Sequence, residues 1–306
     1  MLQLNIQNET SPLRAVVLGT AVSNGPTPKA EDAYDPKSLE HILAGTYPVE
    51  ADMVKEIDAF DAVFQKYGVQ VFRPQIVENE NQIFTRDIAF VIDDIMIEAG
   101  ILPERDKEFP AISHVVEQID PKKFVRISDK KNIHIEGGDV MLWNEYIFIG
   151  TYLGADYSQV KTARTNKAGI DLVRDLFPHR KIVTFDLVKS WADARDNALH
   201  LDCCFQPVGK HQGIIYQQGF RNPAEYDFLV KLFGKDNLFH ITRQEMYDMN
   251  SNVFSIAPDV VVSERNFTRL NAWLRQNGYT VEEIPYAEIA KQEGLLRCST
   301  LPLIRD

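Results

Sequence analysis

Cysteine is scarce: there are three in 306 residues, and two of them are the adjacent pair Cys203 and Cys204. So sparse and odd a set argues against a disulfide framework and suits a reducing compartment. No apolar run is long enough to cross a bilayer. The opening Met1-Leu2-Gln3-Leu4-Asn5 has no basic region ahead of an apolar stretch, so no signal peptide is read there and a cytoplasmic protein is expected. Basic residues are outnumbered 33 to 44, giving a formal net charge of −11. Neither nucleic acid nor an anionic membrane is then expected as a partner, because no counterion release or attraction would favour it. Most of the acidity serves solubility, although it suits a small cationic substrate. A homo-oligomer is compatible with the composition.

What is present is a core and a repeat. The hydrophobic fraction of 44% is ample for a packed interior. One pattern recurs: an apolar strand, a turn, a second strand, an amphipathic helix and a third strand. It is clearest near the end. Val253-Phe254-Ser255-Ile256 leads through Ala257-Pro258-Asp259 to Val260-Val261-Val262; a helix over 266–276 follows, with Phe267, Leu270, Trp273 and Leu274 at helical spacing. Asn277-Gly278 ends it before the strand Tyr279-Thr280-Val281. Upstream copies place strand pairs at 88–91 with 95–97, 140–143 with 146–149, and 203–206 with 213–216. Their helices are expected near 110–118, 168–176 and 223–233. The first copy is split: Ala15-Val16-Val17-Leu18, a helix over 50–67 and a strand over 69–72, with Leu301-Pro302-Leu303-Ile304 as its missing partner. Strands from both chain ends would then close a ring and leave few exposed sheet edges. The stretch 23–48, rich in turn formers, reads as a lid or surface loop. Five such units with no Pro-, Gly- or Ser-rich linker imply a closed radial array in one domain, residues 1–306.

The repeat determines where polar residues fall. Asp87, Glu136, Asp139, His200, Asp202 and Asn252 sit just ahead of the first strands of successive units, and Cys298 sits just ahead of the closing strand. Equivalent positions in a radial array surround one mouth of its axis, so residues far apart in sequence converge. The residue types suit a guanidinium, which is planar and cationic and can be gripped by paired carboxylates. Its carbon is electrophilic but resonance-stabilised, and a thiolate is the best protein nucleophile for it near neutral pH. A histidine can protonate the departing amine and then activate water.

These residues resemble the guanidino-group-modifying superfamily, whose fold is an α/β five-bladed propeller, the pentein, built of ββαβ units with pseudo-fivefold symmetry. Its hydrolytic branch includes arginine deiminase and dimethylarginine dimethylaminohydrolase. The motifs are Phe84-Thr85-Arg86-Asp87, Glu136-Gly137-Gly138-Asp139, His200-Leu201-Asp202 and Arg297-Cys298-Ser299-Thr300. The start, Ser11-Pro12-Leu13-Arg14-Ala15-Val16-Val17-Leu18-Gly19, resembles the amidinotransferase branch. The resemblance implies Cys298 as nucleophile and His200 as acid/base. It implies that Asp87, Glu136 and Asp202 hold the guanidinium or orient the histidine, through a covalent amidino-type intermediate without metal or organic cofactor. Two departures matter. No room exists between Phe72 and Phe84 for the helical domain that arginine deiminase adds. The glycine-rich His-Cys run of the transferases and of agmatine deiminases is replaced by Gly294-Leu295-Leu296-Arg297, which favours a hydrolase.

The expectation is therefore a cysteine-dependent hydrolase of arginine or a close derivative. An amidinotransferase is the runner-up, and a non-catalytic pentein binding module is the rival from another class. Asp139 is read as a substrate-binding residue, with a structural alternative in the turn after two glycines. Arg86 and Arg297 are candidates for a substrate carboxylate or for ion pairs on the ring, with Arg105 and Arg164 as further candidates. Cys203 and Cys204 are read as core within a strand, since their spacing with His200 does not fit a structural zinc site. His134 is read as structural.

Overall fold

The computed structural model describes residues 1–306 and contains five three-stranded sheets of one design. In each, two antiparallel strands form a hairpin and a third strand lies parallel to the middle one. The fifth sheet illustrates this, with Phe254–Ala257 antiparallel to Val260–Glu264 and Thr280–Ile284 parallel to it. The return crossing is the helix Thr268–Gln276, whose Leu270 and Leu274 are buried. A parallel return needs such a crossover, which is why a helix separates the second and third strands of every unit. In the first sheet Leu13–Leu18 is the middle strand. It pairs antiparallel with Thr300–Arg305 and parallel with Gln70–Phe72. The two chain ends thus close the ring, as the split first repeat requires.

Local signals explain the helices. Asn222 accepts a hydrogen bond from the Ala224 amide, Pro223 occupies the first turn, and Gly234 at φ 84° ends Pro223–Phe233. The inner hairpin strands, such as Ala89–Ile92 and Val140–Trp143, are buried on both faces, as continuous apolar runs should be. Apolar side chains form two buried clusters. The larger includes Phe60, Phe64, Phe254 and Tyr286 packed ring against ring.

Three expectations need correction. The helix near 110–118 is only a short helical stretch, Phe109–Ile112 followed by Ser113–Val116. It is long enough to bury Phe109, Ile112 and Val115. Cys203 is not in a strand. It ends a helical turn, Leu201–Cys203, and the strand begins at Phe205. The segment 23–48 contains a helix, Pro36–Leu43, capped by the Asp35 side chain on the Ser38 amide.

The helical turn before the fourth sheet has counterparts. Thr85–Ile88 precedes the second sheet and Gly137–Asp139 the third. These entry turns touch around the axis. The Arg86 amide donates to the Cys298 carbonyl at 3.0 Å. Gly137 abuts the Arg86 carbonyl so closely that a Cβ would lie 2.1 Å from that oxygen. The Leu201 amide donates to Asp139 at 2.9 Å. The Ser251 hydroxyl donates to the Asp202 carbonyl at 2.8 Å, and Asn252 accepts from the Arg297 amide at 2.9 Å. The circuit passes through all five units and returns to Cys298. No helix is long and apolar enough to cross a membrane.

Candidate active site

The entry turns carry the polar side chains inward. Cys298, Asp87, Glu136, His200 and Asp202 are all buried. The His200 Nε2 lies 2.7 Å from Glu136 Oε2, and its Nδ1 lies 3.8 Å from Asp87 Oδ1. Asp202 Oδ2 lies 3.6 Å from the Cys298 sulfur. A thiol, an imidazole and three carboxylates thus share one buried site. Asp87 Oδ1 has no hydrogen-bond partner. A buried carboxylate oxygen without a donor is costly, and a ligand N–H would satisfy it.

Glycine makes the close approach feasible. A Cβ on Gly138 would lie 2.6 Å from His200 Nδ1 and 3.1 Å from Asp87 Oδ1. Any side chain there would displace the imidazole.

The electrostatics favour a cation. Burial alone would push His200 down, but the carboxylates of Asp87, Glu136 and Asp139 outweigh it and raise it to about 9. The imidazole is therefore protonated at neutral pH. Glu136 is pushed up by burial and pulled down further by Arg164 and His200, ending at about 2. The Cys298 thiol is pushed well above its ordinary range, first by burial and then by Asp202 and Asp87, while hydrogen bonds from the Leu295 region and Asn252 oppose this. The cluster on its own thus holds a neutral thiol beside carboxylates.

Two arginines brace the cluster from outside. Arg105 bonds to Asp87 at 2.8 Å and to both oxygens of Glu108. Arg164 sits 3.3 Å from both oxygens of Glu136 and donates to the Tyr34 carbonyl at 2.8 Å. Tyr34 belongs to the segment 23–48, which therefore covers the mouth. Lys161 also reaches it, at the Ala33 carbonyl, 2.7 Å away. A cavity of about 300 Å³ lies between this segment and the 79–81 and 104–108 loops, with Arg105 in its wall.

Other candidates are placed differently. Arg297 is fully buried and has its donors spent on Glu9, Asp202 and the Val140 carbonyl. Arg86 faces the Arg297 carbonyl and the Thr300 hydroxyl. Asp139 takes the Thr165 hydroxyl at 2.6 Å and the Leu201 amide. His134 pairs with the Tyr157 hydroxyl at 3.1 Å. Cys203 and Cys204 are buried thiols. Sequence reasoning missed Glu9, a lone acid in the N-terminal segment. It left Asn252 without a role, although its position in the repeat matched the other site residues. Asp87, Glu136 and His200 offer ligand atoms within 4.8 Å of one another, as a divalent cation would need. Glu136 and His200 instead engage each other, Glu136 also meets Arg164, and Asp87 Oδ2 is held by Arg105.

Comparison with known proteins bears on the family. The family model described as N,N dimethylarginine dimethylhydrolase, eukaryotic, matches residues 44–305. An uncharacterized protein, YkgA of Bacillus subtilis, is 28% identical over 225 residues, 73% of this chain and 70% of that protein. Arginine deiminase of Pediococcus pentosaceus is 26% identical over 264 residues, 74% of this chain but only 62% of the deiminase. Among solved structures, the N-terminal domain of ArgZ, an arginine dihydrolase in Cyanobacteria, superposes with a TM-score of 0.76 at 15% identity, covering 95% of this chain and 97% of that one. Inosamine-phosphate amidinotransferase StrB1 of Streptomyces griseus gives 0.77 at 14% identity, covering 100% and 97%. At such identities the structures speak for the fold alone, the five-bladed α/β propeller of the guanidino-modifying penteins.

Proposed function

The chain belongs to the family described as N,N dimethylarginine dimethylhydrolase, eukaryotic, and from that premise we propose that it is a cysteine-dependent hydrolase of a guanidino compound, arginine or a close derivative. Residues 1–306 would act as one catalytic domain. The observation that carries the reading is the convergence of Cys298, His200, Asp87, Glu136 and Asp202 in one buried cluster.

In the proposed reaction Asp87 and Asp202 take the guanidinium N–H groups. The bound cation offsets the anions that hold the thiol neutral, so on binding the thiol releases its proton to bulk solvent and becomes the thiolate. The sulfur attacks the central carbon and a tetrahedral carbon forms. His200, already protonated, gives its proton to the departing nitrogen, and the C–N bond breaks. The neutral imidazole then takes a proton from water, which attacks the amidino carbon and breaks the C–S bond. Glu136 orients His200 and favours its protonated form. This chemistry uses no metal or organic cofactor.

We assign Arg297, Arg86 and Asp139 to the architecture of the axis, because their polar atoms are met by protein groups. Arg164 is the cation best placed for a substrate carboxylate, since opening of the 23–48 segment would free the donor now held by Tyr34. Three free cysteines, all buried, fit a reducing cytoplasm.

The test is a product analysis with arginine and with dimethylarginine, each with and without an amine acceptor. Citrulline with ammonia or a methylamine, independent of acceptor, is expected. Acceptor-dependent ornithine release without urea or ammonia would establish transfer instead. Turnover of neither compound under any condition would contradict the proposal.

A further inference from the structure

Asn252 is wholly buried at the entry of the fifth sheet, and its carboxamide holds Cys298 at two points. Its Nδ2 donates to the Cys298 sulfur at 3.2 Å. Its Oδ1 accepts from the Cys298 amide at 3.2 Å and from the Arg297 amide at 2.9 Å. One side chain therefore fixes both the backbone and the sulfur of the same residue.

The orientation of that carboxamide is set by its surroundings. Two backbone amides converge on one of its ends, so this end must be the oxygen. The NH₂ group is then left aimed at sulfur. A flipped amide would set donor against two donors and leave the sulfur facing an acceptor. The backbone thus compels Asn252 to present a donor to the thiol.

The charges around the sulfur make that donor consequential. Asp202 and Asp87 oppose the thiolate, and the Cys203 thiol and the Tyr286 phenol lie within electrostatic reach of it. The guanidinium of Arg297 is committed to Glu9 and Asp202 rather than to the sulfur. His200 is bonded to Glu136. Of the side chains around Cys298, Asn252 is the one that hydrogen-bonds the sulfur as a donor.

We propose that Asn252 is a positioning residue that fixes the Cys298 sulfur in its attacking orientation and stabilises its thiolate by a hydrogen bond. The inference gives Asn252 a part in the reaction proposed above and rests on that reading for its functional meaning. The physical claim, that the amide donor favours the thiolate, stands apart from any substrate.

The pH profile of alkylation tests it without turnover. Full-length protein is treated with iodoacetamide, which is neutral and so is not steered by the carboxylates. Labelling of the Cys298 peptide is followed by mass spectrometry across pH. Asn252→Asp keeps the acceptor for both backbone amides but replaces the donor with an anion. Its profile should move to higher pH by about one unit or more, the size expected for a hydrogen bond to a charged group. Asn252→Ala, which removes the donor without adding charge, should move it in the same direction by less. If Asn252→Asp does not melt cooperatively, Asn252→Ala alone is read by the same criterion. A wild-type profile in a folded variant would overturn the inference, whether or not the enzyme turns over guanidino compounds. Absence of guanidino turnover with a shifted profile would count against the proposed function instead.

Discussion

At the residue scale the site depends on His200 being charged before substrate arrives. Its folded value of about 9 exceeds the ordinary 6.5, so protonation is favoured by folding. The stability this contributes is fully present below about pH 6.5 and is lost as pH rises through about 9. Histidine-selective NMR should show one imidazole titrating near 9. Glu136→Gln removes an anion at 2.7 Å and should move that titration to lower pH. A His200 resonance titrating near 6.5 in the wild type would contradict the electrostatic account. Cys298→Ser should abolish turnover yet keep the melting temperature within a few degrees, because the change removes little volume from the buried site. Asp87, His200, Asp202 and Cys298 were legible in the sequence, since each stands at the same place in its repeat. For Arg86, Arg297 and Asp139 the sequence left a substrate role and a structural one open. A motif places an ionisable residue near a site, but only the fold says whether its donors are already taken.

At the scale of the element, the entry turns and the 23–48 segment govern the site. Helices such as Pro223–Phe233 could be read because caps and helical spacing agree. The turns Thr85–Ile88, Gly137–Asp139 and Leu201–Cys203 could not, because three or four residues carry no period and the apolar residues after them read as strand. The covering helix Pro36–Leu43 had a legible signal in Asp35-Pro36, an N-cap followed by proline in the first turn. Asp35→Ala should cost this helix about 1 kcal/mol and make the 23–48 segment more susceptible to limited proteolysis. Unchanged cleavage would show that other contacts hold the segment. Gly138→Ala should lower turnover by about a hundredfold or more, since a Cβ there would meet His200 at 2.6 Å and misplace it. Rates close to wild type would mean that the imidazole position is not critical.

At the scale of the whole molecule, closure of the ring was legible because only the first repeat lacked a strand and only the chain end had one to spare. The axial clamp was not. Glu9 carries no pattern, and its partner Arg297 lies 288 residues away. That arginine ties the N-terminal segment, the third unit and the fourth unit together through Glu9, the Val140 carbonyl and Asp202. Burial pushes Glu9 up, but Arg297 and Arg86 overcome this and hold it at about 2, so it is ionised at every working pH. Arg297→Met would leave Glu9 and Asp202 buried without their partner, at a cost of about 3–5 kcal/mol. Denaturant unfolding should register that loss; an unchanged midpoint would show that the clamp is dispensable.

The central claim is that Cys298 bonds covalently to the carbon of a guanidino group, and acid-quenched protein incubated with arginine or dimethylarginine tests it by intact mass followed by peptide mapping. In hydrolysis the terminal nitrogen leaves first, so the adduct should be the substrate less ammonia or a methylamine, carried on Cys298 and absent from Cys298→Ser. A bare amidino adduct would instead mean that the larger amine left first, as transfer requires. Turnover without any adduct on Cys298, or turnover that persists in Cys298→Ser, would contradict the account.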